Sequence, residues 1–278
     1  MKNYQFINVV KIERSNFTIH CVQSPIEGEM TNAQLIEGEN SLLLIDTLQL
    51  KPHANELLSY ISELGKPLER VIITHDHPDH WFGAASFKDF PLYAFPEVIQ
   101  KINYLADFLL DFHRSIHGEK AADLITSEKV TPSLPIQEGY LDFDGIELKI
   151  IKVLETESSC NLMVEIVNEN ILIAQDMIYN GAFAFFGEKT QDGSYCFDNW
   201  IKILNQIFEL KYDVIIPGHG NPTDSSIIPT MIGYLNFSHS KLDEGLSGEE
   251  LIQAIKDEYP NYLLPLTLQM SNYMLFQQ

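Results

Sequence analysis

Along the first fifty residues, apolar and polar positions alternate in short runs, the period expected of strands with one covered face. YQFINVVKI (residues 4–12) and FTIHCVQ (17–23) predict two strands, separated from the next by the proline- and glycine-bearing turn PIEGEM. NAQLIEG, from Asn32, and SLLLID, ending at Asp46, flank Glu39-Asn40 and predict a hairpin. From Pro52 to Leu64 the period changes. Ala54, Leu57, Leu58, Ile61 and Leu64 fall on one helical stripe, which Gly65-Lys66-Pro67 ends. Val71, Ile72 and Ile73 then predict a buried strand, and PLYAF a shorter one ending at Pro96. A polar and aromatic helical stretch follows over residues 96–128. The runs PIQEGYLDFDGIELKIIKVLE, NLMVEIV and ILIAQD predict successive strands of an antiparallel sheet, with a turn at Asn168-Glu169-Asn170 and Asp176 closing the last strand. CFDNWIKILNQIFEL is an amphipathic helix with Phe197, Trp200, Ile201, Leu204 and Ile207 inward. DVIIPGHG is a buried strand ending in Gly-His-Gly, and the remainder reads as helices broken at Tyr259-Pro260. With no repeat, linker or low-complexity tract, the expected organisation is one domain over residues 1–240, with a helical insert at 96–128 and a C-terminal helical extension over 241–278.

Composition narrows the classes of partner. The chain has 278 residues, 45% of them hydrophobic, and carries 39 acidic against 18 basic side chains for a formal charge of -21. A surface of that sign repels phosphate backbones, so a nucleic-acid role is disfavoured. The three cysteines, Cys21, Cys160 and Cys196, are far apart and form no CxxC pair. That pattern points to neither a structural zinc site nor a disulfide framework, and suits a reducing compartment. The first residues lack a sustained apolar run with a small-residue cleavage site, and no stretch is long and apolar enough to span a bilayer. The expectation is a cytoplasmic protein without membrane attachment, acting on a small molecule and able to pair as a homodimer.

The chemistry is concentrated in VIITHDHPDHWFGA, residues 71–84. His75, Asp76, His77, Asp79 and His80 crowd the end of a buried strand, and imidazole nitrogen with carboxylate oxygen is the donor set of zinc and similar divalent ions. Pro78 stiffens the loop and biases His77 toward extended backbone. His75 and His77, two apart on extended chain, point the same way. Asp79 and His80, adjacent on a first helical turn, diverge by roughly a quarter turn and suit a second ion. His113 and His117 also stand at i, i+4, but read as surface histidines beside Asp111 and Glu119. Asp46 reads either as the cap of a turn or as a partner that orients metal ligands.

The spacing His-x-His-x-Asp-His after a hydrophobic strand resembles that of the metallo-β-lactamase superfamily of metallohydrolases, which includes hydrolases of the glyoxalase II kind. The resemblance extends over most of the chain, including the opening hairpin that ends at Asp46. It implies an α+β fold, a four-layer αββα sandwich, here with a C-terminal helical extension. It places one ion on His75, His77 and a third ligand, a second on Asp79, His80 and His219, and Asp176 as a bridge between them. Two positions depart from the family pattern. Gly83-Ala84 replaces a common Gly-Gly pair. The third ligand of the first ion, usually His, falls in VLETESSCNLMVEI, which contains none. Aligning on the strand NLMVEI puts Glu157 there, otherwise facing solvent, with Cys160 nearby as a buried small hydrophobe. The resemblance thus implies two divalent ions, zinc first with iron or manganese as alternatives, and an activated hydroxide attacking an ester, thioester, lactone or related bond. Asp79 or Asp176 would manage the proton. Two readings stand beside it: a mononuclear iron dioxygenase or other redox member of the fold, and a non-catalytic binding protein on a degraded metal site.

Overall fold

The β-branched and leucine-rich runs of the first fifty residues pair with one another in chain order. β1 (Asn8–Glu13), β2 (Thr18–Gln23), β3 (Asn32–Glu37) and β4 (Leu42–Ile45) form an antiparallel meander. The computed structural model describes residues 4–276. Helix α1 (Lys51–Glu63) turns its His53, Ala54, Leu57, Tyr60 and Ile61 face inward; of the predicted stripe Ala54, Leu57 and Ile61 are buried, Leu58 and Leu64 are only partly so, and His53 and Tyr60 join. It delivers the chain to β5 (Leu68–Ile72), which runs parallel to β4. The strand begins three residues before the apolar triplet that marks it, and Ile73 lies just past its end.

Beyond β5, the short helix α2 (Pro78–Trp81) and a 3-10 turn over Phe82–Phe87 lead to β6 (Leu92–Ala94), parallel to β5. The predicted helical insert resolves into α3 (Pro96–His117) and the single turn α4 (Ala121–Leu124). β7 (Leu134–Pro135) then completes a seven-stranded sheet ordered β1 to β7. Pairing changes from antiparallel to parallel at β4, so the carboxyl ends of β4 and β5 lie together. That end of an open α/β sheet is where ligands are bound. Leu42, Leu43, Leu44 and Ile45 have no exposed surface, as a strand covered on both faces requires.

A second sheet has the order β12-β11-β10-β9-β8. The long run from residue 135 is a hairpin, not one strand. β8 (Gly139–Phe143) and β9 (Ile146–Leu154) turn at Asp144-Gly145, both with positive φ, the backbone of a tight hairpin turn. β10 (Cys160–Ile166) and β11 (Ile171–Tyr179) follow, and then α5 (Phe197–Leu210), β12 (Val214–His219), α6 (Ile227–Asp243), α7 (Gly248–Glu258) and α8 (Pro265–Phe276). β11 corrects one expectation: Asp176 does not close the strand, which continues to Tyr179. β12 pairs with β11 in parallel, and the register slips on either side of Gln175. The expected break at Tyr259-Pro260 is a connection over residues 259–264.

By packing, the chain forms two units. One contains the residues up to Ile151 together with Val164–Val167, and the other Lys152–Met163 with everything from Asn168 onward. In the second unit, α5 buries Phe197, Trp200, Leu204 and Ile207, each such side chain worth about 1.5–3 kcal/mol. The Trp200 indole Nε1 donates to the Met177 carbonyl at 3.1 Å, tying α5 to β11 one residue past Asp176.

Candidate metal centre

In the first unit the polar groups gather past the carboxyl ends of β4 and β5. Asp46, directly after β4, has no exposed surface and a positive φ of 62°, an arrangement that costs about 1 kcal/mol or more in a non-glycine residue. Its Oδ1 accepts the Thr74 backbone N–H at 2.9 Å, and its Oδ2 accepts both the Thr74 hydroxyl at 2.7 Å and His80 Nδ1 at 2.8 Å. Burial pushes the Asp46 carboxyl up, against the opposing pull of His80 and Thr74. Thr74 Oγ1 also lies 3.0 Å from His75 Nδ1. With both Nδ1 atoms held, His75 and His80 present Nε2 to a ligand, the tautomer that the hydrogen bonds assign. The rings of His75 and His77 lie 4.7 Å apart and those of His75 and His80 4.2 Å apart. His80 Nε2 is 3.1 Å from Asp79 Oδ2, and the Thr31 hydroxyl donates to the same Asp79 oxygen at 2.9 Å. The role left open for Asp46 is therefore that of orienting His80 and, through Thr74, His75.

Asp76, with a carboxylate oxygen within 4.8 Å of a His77 ring nitrogen, is engaged by α3. Its carboxylate, buried to 4% exposure, pairs with Lys101 of α3 at 3.1 Å. Burial opposes its ionisation, but the Lys101 charge and the neighbouring His77 and His75 hold it below its usual value. His113, read as a surface residue, is partly exposed: its ring packs edge-on against Phe82 at 5.1 Å, and burial, helped by neighbouring His117, pushes its pKa down to about 4 against the attraction of Asp79.

In the second unit the loop between β9 and β10 carries Glu157, which has no exposed surface and so does not face solvent. The loop is closed by bonds from Glu155 N to the Ser159 carbonyl and from Thr156 N to the Ser158 carbonyl, both 3.1 Å. Asn199 of α5 braces it by donating to the carbonyls of Leu154 and Glu155. Cys160 is buried at 3% exposure, as expected. Asp176 and His219 come from the paired strands β11 and β12, with His219 Nε2 3.1 Å from Asp176 Oδ2. The two glycines of Pro-Gly-His-Gly are required by this closeness. A Cβ on Gly218 would stand 1.7 Å from Asp176 Oδ1, and one on Gly220, at φ +92°, 2.1 Å from the Asn180 carbonyl oxygen. Tyr179 completes the cluster. Its hydroxyl lies 2.7 Å from Asp176 Oδ2 and 3.2 Å from Glu157 Oε1, and its ring stacks on His219 at 4.6 Å.

The side chains fit divalent metal on two observations made within each unit. Two ligand atoms about 2 Å from one tetrahedral ion stand about 3.3 Å apart, and the Asp79–His80 and Asp176–His219 pairs are both at 3.1 Å. His75 with His77, and Glu157 with Asp176, likewise offer ligand atoms within 4.8 Å of each other. The donors are imidazole and carboxylate alone, the set taken by zinc, iron and manganese. Sequence pattern did not single out Thr31, Thr74 or Tyr179. Only a threonine before the histidine cluster, and a tyrosine three residues past Asp176, were there to see.

Comparison with known proteins agrees with this chemistry. Residues 26–219 match the family model described as the metallo-beta-lactamase superfamily. The chain belongs to that superfamily. Among curated relatives it is 26% identical over 232 residues to the alkyl/aryl-sulfatase BDS1 of Saccharomyces cerevisiae, covering 70% of this chain and 35% of that one. It is 23% identical over 272 residues to the beta-lactamase-like protein 2 homolog of Drosophila melanogaster, covering 92% and 84%. The chain thus spans about a third of the length of the yeast relative. Among solved structures, a metallo-beta-lactamase from Pontibacter korlensis superposes with a TM-score of 0.60 at 19% identity, covering 83% of this chain and 99% of that one. The fold is the α+β fold of the metallo-β-lactamase type, with helices α6, α7 and α8 following its last strand. No helix among the described residues is long and apolar enough to cross a membrane.

Proposed function

We infer that the protein is a metal-dependent hydrolase acting on an ester-like bond of a small molecule. His75, His77 and Glu157 would hold one divalent ion, and Asp79, His80 and His219 a second, with Asp176 shared. The observation that carries this reading is Asp46 with Thr74, which hold Nδ1 of His80 and of His75 and leave Nε2 as the ligand atom of each. A buried carboxylate spent on orienting two imidazoles is the arrangement of a metal site rather than of a packed core. Bound there, the ions would supply an acidified water and a Lewis acid for the substrate oxygen. Glu157 in place of imidazole adds a negative charge, so that three carboxylates and four neutral imidazoles face two dications. That extra charge makes the centre a milder Lewis acid than one built with a third His.

Around this centre the chain's own groups hold the reactants. Thr31 fixes one Asp79 oxygen, and the Asp79 carboxylate so oriented would accept a proton from water. The -21 charge of the chain disfavours nucleic acid, and a small uncharged or weakly charged ester, thioester or lactone suits it better. Sulfate esters join the candidates because the yeast relative is named as an alkyl/aryl-sulfatase. The test is elemental analysis of the purified chain, with turnover of an ester, thioester, lactone, sulfate-ester and phosphodiester panel. One to two equivalents of transition metal, with cleavage abolished by chelation and restored by zinc, is expected. Restoration by iron alone, with oxygen uptake, would move the reading to redox chemistry. A protein that refuses added zinc, iron and manganese defeats it.

A further inference from the structure

We propose that Tyr179 is a positioning residue for the Glu157–Asp176 carboxylate pair, its single hydroxyl holding both side chains in the geometry that takes metal. The proposal rests on the two-ion reading above and adds to it a residue outside the ligand set. Glu157 and Asp176 are 0% and 1% exposed, with ligand oxygens within 4.8 Å of each other. Two carboxylates so close in a buried site repel one another and drift apart, or share a proton, unless a donor or cation stands between them. The Tyr179 oxygen is 2.7 Å from Asp176 Oδ2 and 3.2 Å from Glu157 Oε1. One phenolic proton can serve both only as a three-centre bond weighted toward Asp176. The same ring lies nearly parallel to His219, 4.6 Å away at 8°, and Tyr179 and His219 are register partners across β11 and β12. One side chain therefore touches all three residues that the second unit contributes to the proposed ligand set. The hydroxyl engages Glu157 Oε1 and Asp176 Oδ2, the latter also facing His219 Nε2, and so fixes how both carboxylates are turned toward the proposed ions. A Glu at position 157 gives the phenol an acceptor there in either proton state, which a metal-bound imidazole would not.

Tyr179→Phe removes only the hydroxyl and keeps the ring on His219. The measurements are zinc affinity by competition with a chromophoric chelator and the visible spectrum of the cobalt-loaded protein, on the full chain. Expected are a zinc affinity about 10–100-fold weaker, the usual effect of losing a hydrogen-bond partner of a metal ligand, and a changed cobalt spectrum. In a Glu157→Gln background the loss on adding Tyr179→Phe should shrink, since the two side chains act as a pair. Equal affinity and an identical cobalt spectrum in parent and variant overturn the proposal while leaving the two-ion reading in place. A parent chain that holds no zinc overturns both. If Tyr179→Phe does not fold, the near-ultraviolet difference spectrum of the parent on zinc addition decides: a perturbed tyrosine supports the proposal and a flat trace overturns it.

Discussion

Asp46 shows how one side chain can decide a site without being a ligand in it. Three donors converge on its two oxygens: the Thr74 amide, the Thr74 hydroxyl and His80 Nδ1. Asn at this position has a single carbonyl oxygen, so its NH2 group must face at least one of those donors. His80 then rotates or changes tautomer, and Nε2 no longer points at an ion. Asp46→Asn should therefore weaken zinc binding by about 10–100-fold while leaving the far-ultraviolet spectrum unchanged. Chelator competition measures it, and an affinity within twofold of the parent would remove Asp46 from the account. Glu157 stands at the opposite limit of legibility. Alignment on the strand NLMVEI puts it at the third-ligand position, and it is fully buried rather than facing solvent. Thr31 and Thr74 could not be found so, because a small hydroxyl on a buried strand end carries no periodic signal and gains its meaning only from a partner distant in sequence.

At the scale of elements, nearly every strand and helix was readable from apolar periodicity, because burying one face is what each element does. Partnership was not. The switch from antiparallel to parallel pairing at β4 and β5 depends on α1 returning the chain, and no local pattern records it. Nor does local pattern record that β11 runs on through Gln175 and Asp176: two polar residues read as a strand end, yet they are buried where a polar site, not apolar packing, surrounds them. α3 was legible as a helix but not as a wall of the metal loop, which it becomes through Lys101 on Asp76 and His113 on Phe82. Lys101→Met keeps the stem and removes the charge, taking away the largest counter-charge on the buried Asp76 carboxylate. In chelator-treated protein this should cost up to about 3 kcal/mol by urea denaturation, and adding Asp76→Asn should recover most of the loss. A single variant within about 0.5 kcal/mol of the parent would mean that the pair does not fasten α3.

For the molecule as a whole, the same burial that positions histidines fixes how stability follows pH. His20, between Tyr60 and Glu37, and His53, inside α1, are buried, and burial lowers both below the usual value of 6.5 despite nearby carboxylates. His113 lies lower still, at about 4. In each case the unfolded chain takes up the proton first, so acid favours unfolding. Stability should be flat above pH 6.5 and fall as pH drops below it, by up to about 1.4 kcal/mol per unit for each fully buried histidine. An opposing term comes from the net charge of -21, whose self-repulsion eases as carboxylates protonate, but most of that relief arrives only near their usual pKa of about 4. Between pH 7 and pH 5 the histidines therefore win. Melting temperature followed across that range, with chelator present so that loss of metal does not contribute, should decline as pH is lowered, and His20→Gln with His53→Gln should flatten the decline. A metal-free protein whose melting temperature holds steady or rises from pH 7 to pH 5 would mean that these rings are protonated in the folded chain.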